Sequence, residues 1–411
     1  MTIAKPPTRV EVRIAVGLAA ALLFFVVILN AARSDIGSFD FACFYTGGVI
    51  VGQGNASQLY DLDEQARIER EVVHRTKLLI FTHPPFETLL FAALARLSYL
   101  KAYVLWGAIN VCLWVFFQHL LRRQTRIPEN PYRYLLLCSL FFPLWTVLIL
   151  GQITVFLLLL FALTFLCLQR GQDFRAGIFL GMGLFKFPIV LPFALICFLR
   201  GKWRMMAGFA AAISLLVVLS VIAVGPAGVR SYANLLIDIL RSQENPAYRT
   251  MRVWDEMPTI KGVFAAPLTG RLPTVWLSVL TTLVSAALVC FAAWRWRQED
   301  QRPNANSSNL MFAGALAVSL VVAAYMYAYD LTLMLLAILL VIGSPQWSEK
   351  SGPEKSGHRV VLTLIILILY CPVYTLLLHR RAMYLLAPVL AAFALAAISL
   401  AKRNSPEVAN G

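Results

Sequence analysis

The chain is poor in the residues from which most catalytic and metal sites are built. Its five histidines are scattered and its seven cysteines (43, 112, 138, 167, 197, 290 and 371) fall singly, mostly inside apolar runs. No C-x-x-C occurs, so neither a metal knuckle nor a disulfide framework is indicated, and the cysteines read as small apolar core residues. There is no P-loop, no G-x-G-x-x-G after a strand, no H-E-x-x-H and no Cys/His cluster. No ATP-driven or zinc-dependent chemistry therefore follows, and neither a cofactor nor an obligatory metal is expected. Basic-aromatic modules of the kind that bind nucleic acid are missing too, despite a net charge of +15, so nucleic acid is not an expected partner. No internal repeat is evident, which weighs against a transporter built from inverted halves.

What the chain does have is apolar length. Fifty-nine per cent of its 411 residues are hydrophobic and they fall in long runs, which no water-soluble fold requires. The fold class is an all-α polytopic membrane protein in one integral domain. The runs long enough to cross are 12–31, 102–121, 133–150, 153–169, 203–224, 273–296, 308–328, 330–344, 359–378 and 382–401. The first exceeds the ~7–15 apolar residues of a signal peptide and reads as an uncleaved span. Two stretches resist counting: 84–100, which opens on prolines, and 174–199, whose course is broken at Lys186-Phe187-Pro188.

Basic residues settle both, because they gather on the cytoplasmic side of short loops. Seven clusters stand out, among them Lys5/Arg9/Arg13, Arg122-Arg123, Arg170…Arg175, Arg200…Lys202…Arg204, Arg295…Arg297 and Lys402-Arg403. All fall on one side only if 84–100 dips in and returns and 174–199 crosses twice, hinged at Lys186–Pro188. The layout is then about twelve spans in the cytoplasmic membrane. Loop 32–101 and loop 225–272 are extracytoplasmic, and 402–411 is a cytoplasmic tail. Within the first loop, 61–77 reads as a surface helix and 84–100 as an interfacial or re-entrant one.

The awkward polar residues then share one face, which points to an extracytoplasmic site at the membrane surface. Asp40 lies soon after the first span, among Phe39, Phe41, Phe44 and Tyr45. Apolar neighbours raise a carboxylate's basicity and rings make walls for a sugar, so this acid suits a general base; the alternative is a helix cap or a loop salt bridge. Asp35, Asp61 and Asp63 read as caps or solvated charges. Lys186 and Asp330 are charges inside apolar runs, each costing roughly 2.5–3.5 kcal/mol on insertion scales, so they face an anion or water, pair with each other, or snorkel. In loop 225–272, Arg241, Arg249, Arg252 and Lys261 accompany Trp254 and Tyr248, a combination that can hold a phosphate or simply form a solvated basic loop. His83, beside Pro84-Pro85, is the one histidine near this group.

In order along the chain stand Asp40-Phe41…Tyr45, Tyr60-Asp61, Pro84-Pro85, Gly151-Gln152, Lys186-Phe187-Pro188 with Lys202-Trp203-Arg204, and Tyr329-Asp330-Leu331. This ordered set resembles glycosyltransferase family 87, the polyprenyl-phosphate-mannose-dependent type of the GT-C superfamily. The resemblance implies an inverting hexosyltransferase, of the mannosyl type, using a polyprenyl-phosphate sugar donor and a glycolipid or glycan acceptor in the cell envelope. It implies Asp40 as catalytic base. Lys186, Arg249, Arg252, His83, Tyr45, Gln152, Asp330 and Tyr325 are the candidates around substrate and lipid phosphate. The chain departs from the family in having Tyr325 and Tyr327 where a histidine often precedes the late Tyr-Asp, and Glu256-Met257-Pro258-Thr259 where Asn-x-Ser is common. The rival readings are a flippase or transporter of a polyprenyl-linked sugar, and an inactive scaffold of the same fold.

Overall fold

In hydrocarbon each backbone amide must be bonded within its own segment, so apolar runs fold as helices. The structure, a computed structural model, describes residues 9–33, 39–73, 78–122, 138, 140–241, 253–301, 308–344, 347, 353–370 and 372–402. Its helices are α1 Arg9–Ala31, α2 Phe41–Gly52, α3 Leu62–Ile68, α4 Thr88–Leu94, α5 Tyr99–Arg122, α6 Phe142–Leu150, α7 Thr154–Gln169, α8 Asp173–Met182 and α9 Phe187–Leu199. They continue with α10 Trp203–Arg241, α11 Ile260–Leu268, α12 Thr274–Asp300, α13 Ser308–Val321, α14 Met334–Ile342, α15 Pro353–Tyr370, α16 Pro372–His379 and α17 Leu386–Lys402. Among the described residues there is no strand. By length and composition six stretches of the described residues qualify as membrane spans: Val10–Ala31, Tyr99–Leu121, Asp173–Leu199, Trp203–Ile239, Thr274–Asp300 and Met383–Ala401. The chain is a multi-pass membrane protein.

Asp173–Leu199 is not one straight span. A continuous helix of that length would carry its ends ~40 Å apart. Yet α8 lies along the start of α10 in the same direction: a Cβ on Gly208 would meet the Phe174 carbonyl, one on Gly177 the Met205 carbonyl and one on Gly181 the Ala212 side chain. Both α8 and α10 therefore rise from the same end of the bundle, and α9 brings the chain back to that end. The reversal sits at the 3₁₀ turn Gly183–Lys186, where Lys186 leaves helical geometry (φ −118°, ψ 52°) ahead of Pro188. Proline removes a backbone donor and pushes its predecessor out of the α region, which is why the turn falls there. The hairpin expected from the basic clusters is present. The count of twelve is reached only when both of its arms, the shorter helices α7 and α13, Ala328–Ile342, the segment ending in α6, and the α15–α16 pair are each taken as crossings.

The bundle has a dry centre and lipid-facing flanks. From Leu310 to Val321 and from Ala328 to Val341 every residue is buried, as expected of helices apolar all round. By contrast α12 is only 17% buried over its most apolar window, so most of its surface faces lipid. The long α10 breaks at Gly225 (φ 70°, ψ 173°) before Pro226, the point at which the sequence places the start of the second loop. The piece beyond the break packs on the first loop, with Tyr232 against Tyr60 at 5.3 Å.

That first loop is more deeply built than its sequence suggests. Its glycine-rich part forms α2, buried from Phe41 to Ile50. Gly48 is what lets it dock, since a Cβ there would lie 2.5 Å from the backbone of Phe91 on α4. The short helix 85–94 turns back into α5, and the Tyr45 hydroxyl ties that turn by donating to the Leu97 carbonyl at 2.7 Å. In the predicted surface helix, Asp61 accepts from the amides of Asp63 and Glu64, the capping role its position suggests. One face of that helix is buried instead of solvated: Gln65 holds Leu59 and Phe81, and Glu69 accepts from Leu79.

Candidate active site

Each helix end that meets at the Asp40 end of the bundle has a local cause. At the end of α6, Gly151 takes the left-handed conformation (φ 68°) and its carbonyl accepts from the Trp106 indole at 2.9 Å. Only glycine fits, because a Cβ there would stand 2.7 Å from that of Phe41. The turn sends the Gln152 side chain, 3% exposed, between two charges. Its Nε2 donates to Oδ2 of Asp40 at 2.7 Å, and its Oε1 accepts from Nζ of Lys186 at 3.4 Å. The charges themselves fix which amide atom points where: the reverse assignment would put oxygen against a carboxylate and NH₂ against an ammonium.

Lys186 continues the chain. Its Nζ lies 3.3 Å from Oδ1 of Asp330 and 4.7 Å from the Tyr329 ring centroid. Asp330, 2% exposed, also accepts from the Thr154 hydroxyl at 2.9 Å and the Tyr327 amide at 3.2 Å. The turn that carries it is held by Tyr374, whose hydroxyl donates to Ala328. The structure thus takes the pairing alternative for Lys186 and Asp330. Asp330 is a saturated anchor, whereas Asp40 is only half-buried. Asp40 precedes α2 without making a capping hydrogen bond, so the cap reading of this acid fails.

The other predicted residues fall in three groups. Tyr325 belongs at this end: it is 39% exposed and its hydroxyl meets that of Tyr327 at 2.6 Å. His83 sits one layer back, its ring tilted against Phe44 at 4.6 Å with Nδ1 3.0 Å from Oε2 of Glu87. Tyr45 is buried and bonded to Leu97, and Phe39, Phe41 and Phe44 are buried with it. These rings form the floor beneath Asp40 and not the wall of an opening, because α2 folds inward where the sequence reads as a loop. Arg249, Arg252, Tyr248 and Asp35 lie outside the described residues.

Sequence reasoning missed one pair. Glu256, on the 3₁₀ turn Trp254–Glu256, receives the Arg381 guanidinium at 3.1 Å. Burial pushes the Glu256 carboxyl above its usual range, Arg381 opposes this, and the negative fields of Asp255 and Asp40 add to it. Glu256 is therefore within electrostatic reach of Asp40. Arg381 is held with φ 54°, unusual for a side-chain-bearing residue. In sequence the signal was faint: a charged loop residue and a turn arginine, each ordinary alone.

No curated protein and no solved structure matches the chain. A comparison with family models aligns residues 81–324 with Glycosyltransferase family 87. The matched stretch contains Gln152, Lys186 and Glu256, while Asp40 and Asp330 lie beyond its ends and join the site through the hydrogen-bonded chain just described. More than half of the sequence is covered, and it is a helical membrane bundle with a polar chain from Asp40 to Asp330 at one end: the chain belongs to glycosyltransferase family 87 and is a membrane glycosyltransferase.

Proposed function

We propose that the enzyme transfers a hexosyl group, mannose in the reading the resemblance favours, from a polyprenyl-phosphate sugar to a glycan or glycolipid acceptor on the extracytoplasmic face, with inversion. The observation that carries this reading is the bridge Asp40–Gln152–Lys186–Asp330, which supports a half-buried carboxylate from below with a fully paired cation. Asp40 takes the proton of the acceptor hydroxyl as its oxygen bonds to the anomeric carbon. The bond from that carbon to the phosphate oxygen breaks on the opposite side. The leaving group is already a stable anion, so no second acid is needed to protonate it, unlike the two-carboxylate arrangement of glycoside hydrolysis. Lys186 acts through Gln152, which it holds against Asp40.

The reading of the side rests on the basic residues. Arg200 and Lys202 both reach Asp300, and Gln169 reaches Ser308, so Arg170, Arg175, Arg204, Arg295 and Arg297 share the end opposite Asp40. By the positive-inside rule this supports a cytoplasmic placement of that end. The test is purified enzyme supplied with polyprenyl-phosphate hexoses, matched nucleotide sugars and envelope glycolipid extract. Transfer from the lipid donor with inverted anomeric configuration is expected. Transfer from the nucleotide sugar alone, or retention, overturns the reading.

A further inference from the structure

A helix leaves its last carbonyls without intrahelical partners, and inside a bundle those carbonyls need donors from elsewhere. At the end of α6 the donors come from α5. The hydroxyl of Tyr103 donates to the Ile149 carbonyl at 2.8 Å, with the Leu148 carbonyl 3.2 Å from the same oxygen. One turn further along α5 the Trp106 indole holds the Gly151 carbonyl. Positions three apart share one face of a helix, so α5 caps the turn that delivers Gln152 from a single face. Within the turn, the Val147 carbonyl accepts from the amides of Gly151 and Gln152.

The same tyrosine reaches the other side of the site. Its ring meets Phe39 at 6.0 Å and Phe41 edge-on at 5.8 Å, and these two residues flank Asp40 in sequence. All three rings are buried. Asp40 is therefore carried on a short stretch pinned on both sides to one side chain of α5. Trp106 ties α5 to the first loop as well, its ring 5.1 Å from that of Phe91 on α4, the helix on which α2 docks.

We infer that Tyr103 is a positioning residue of the transferase: its hydroxyl fixes Gln152 and its ring fixes Asp40, so one buried side chain sets the 2.7 Å bond between them. The inference rests on the reading of Asp40 as the base. Tyr103 is 1% exposed and acts through those two residues without meeting substrate. Removal of the hydroxyl leaves the Ile149 carbonyl unbonded in an apolar setting, and the end of α6 turns to find another donor. Gln152 then drifts from Asp40, and Lys186 loses its hold on the base. Removal of the ring takes from Phe39 and Phe41 their common support, and Asp40 itself shifts. The two parts of the side chain act on opposite ends of one hydrogen bond, so substitution can separate them.

The experiment is a double-mutant cycle on the full chain in lipid nanodiscs. Both kcat and KM for a polyprenyl-phosphate hexose are measured for Tyr103→Phe, Gln152→Leu and the two combined. Tyr103→Phe keeps the ring and removes the hydroxyl. Alone it should lower kcat about tenfold or more and leave KM close to that of the unaltered enzyme. On Gln152→Leu it should cost less than about twofold, because the bond it serves is already gone. Trp106→Phe frees only the Gly151 carbonyl; it should couple to Gln152 in the same way, and it replaces Tyr103→Phe where that variant folds poorly. Tyr103→Leu removes the ring too, and its additional loss should persist on Gln152→Leu. Losses that multiply in full on the Gln152→Leu background, or a Tyr103→Phe effect confined to thermal stability or KM, overturn the inference. Asp40→Asn, assayed alongside, separates it from the proposed reaction. A fully active Asp40→Asn with the coupling intact refutes the base and leaves the link from Tyr103 to Gln152 standing. A slow Asp40→Asn with multiplying losses does the reverse.

Discussion

Both ends of the bundle hold an ion pair with one buried partner, Asp330 at one and Arg200 at the other, and the two are built differently. At the far end Arg200, its side chain 3% exposed, grips Asp300 through two carboxylate oxygens at 2.9 Å and stacks over Trp296 at 3.5 Å, with Lys202 3.7 Å away. Three elements are locked there by a fork, a ring and a second cation. At the Asp40 end the contacts run in single file: carboxylate, amide, ammonium, carboxylate, hydroxyl. Arginine's rigid fork suits a fixed joint, whereas lysine's single point of charge on a flexible stem suits a place where groups must realign. The far cluster closes on itself. The near one ends on a carboxylate that still has solvent access, which is what a base receiving a substrate proton requires.

The contrast gives an ordered set of expectations. Arg200→Ala should have the largest effect on stability, because it removes a buried guanidinium stacked on Trp296 together with its charge-assisted bonds to Asp300, a loss of roughly 1.5–3 kcal/mol. Thermal unfolding in detergent should show it, with turnover near normal at a permissive temperature; an unchanged midpoint would mean that the joint is ornamental. Lys186→Ala should act mainly on rate. It strands Asp330 and frees Gln152, and misplacement of a catalytic group by an ångström costs up to ~10²-fold in kcat. Lys186→Arg should recover part of this.

Gln152→Glu tests the same link through pH. A second carboxylate 2.7 Å from Asp40 disfavours ionisation of the base, so the acid limb of the kcat/KM profile should move to higher pH, by about one unit or more. A profile that only falls in height would show that Gln152 does not act on Asp40. The smallest expected effect is that of Asp61→Ala, which removes a cap outside both clusters. It should cost ~1 kcal/mol of stability and leave turnover and pH profile unchanged.

How legible these regions were depended on contrast with their surroundings. Lys186 and Asp330 announced themselves because charge in an apolar run is rare and expensive, and Gln152 because it follows a glycine between two spans. The reversal at Lys186–Pro188 was legible because basic residues flank α8 and α9 on the same side. Glu256 and Arg381 were not, since charge in a loop is ordinary and only folding brings them together. The burial of α2 was hidden for the opposite reason. Gly47, Gly48 and Gly52 read as loop formers, yet Gly48 serves close packing against α4, a role that depends on Phe91, far along the chain.

The central claim is that Asp40 is the base. It is tested most directly by Asp40→Asn, with donor binding and single-turnover transfer measured on the same preparation. The carboxamide keeps the shape and loses the basicity. The account predicts donor affinity close to that of the unaltered enzyme and transfer slower by ~10²–10⁴-fold, with the acid limb of the pH profile abolished. Transfer at a near-normal rate would contradict it.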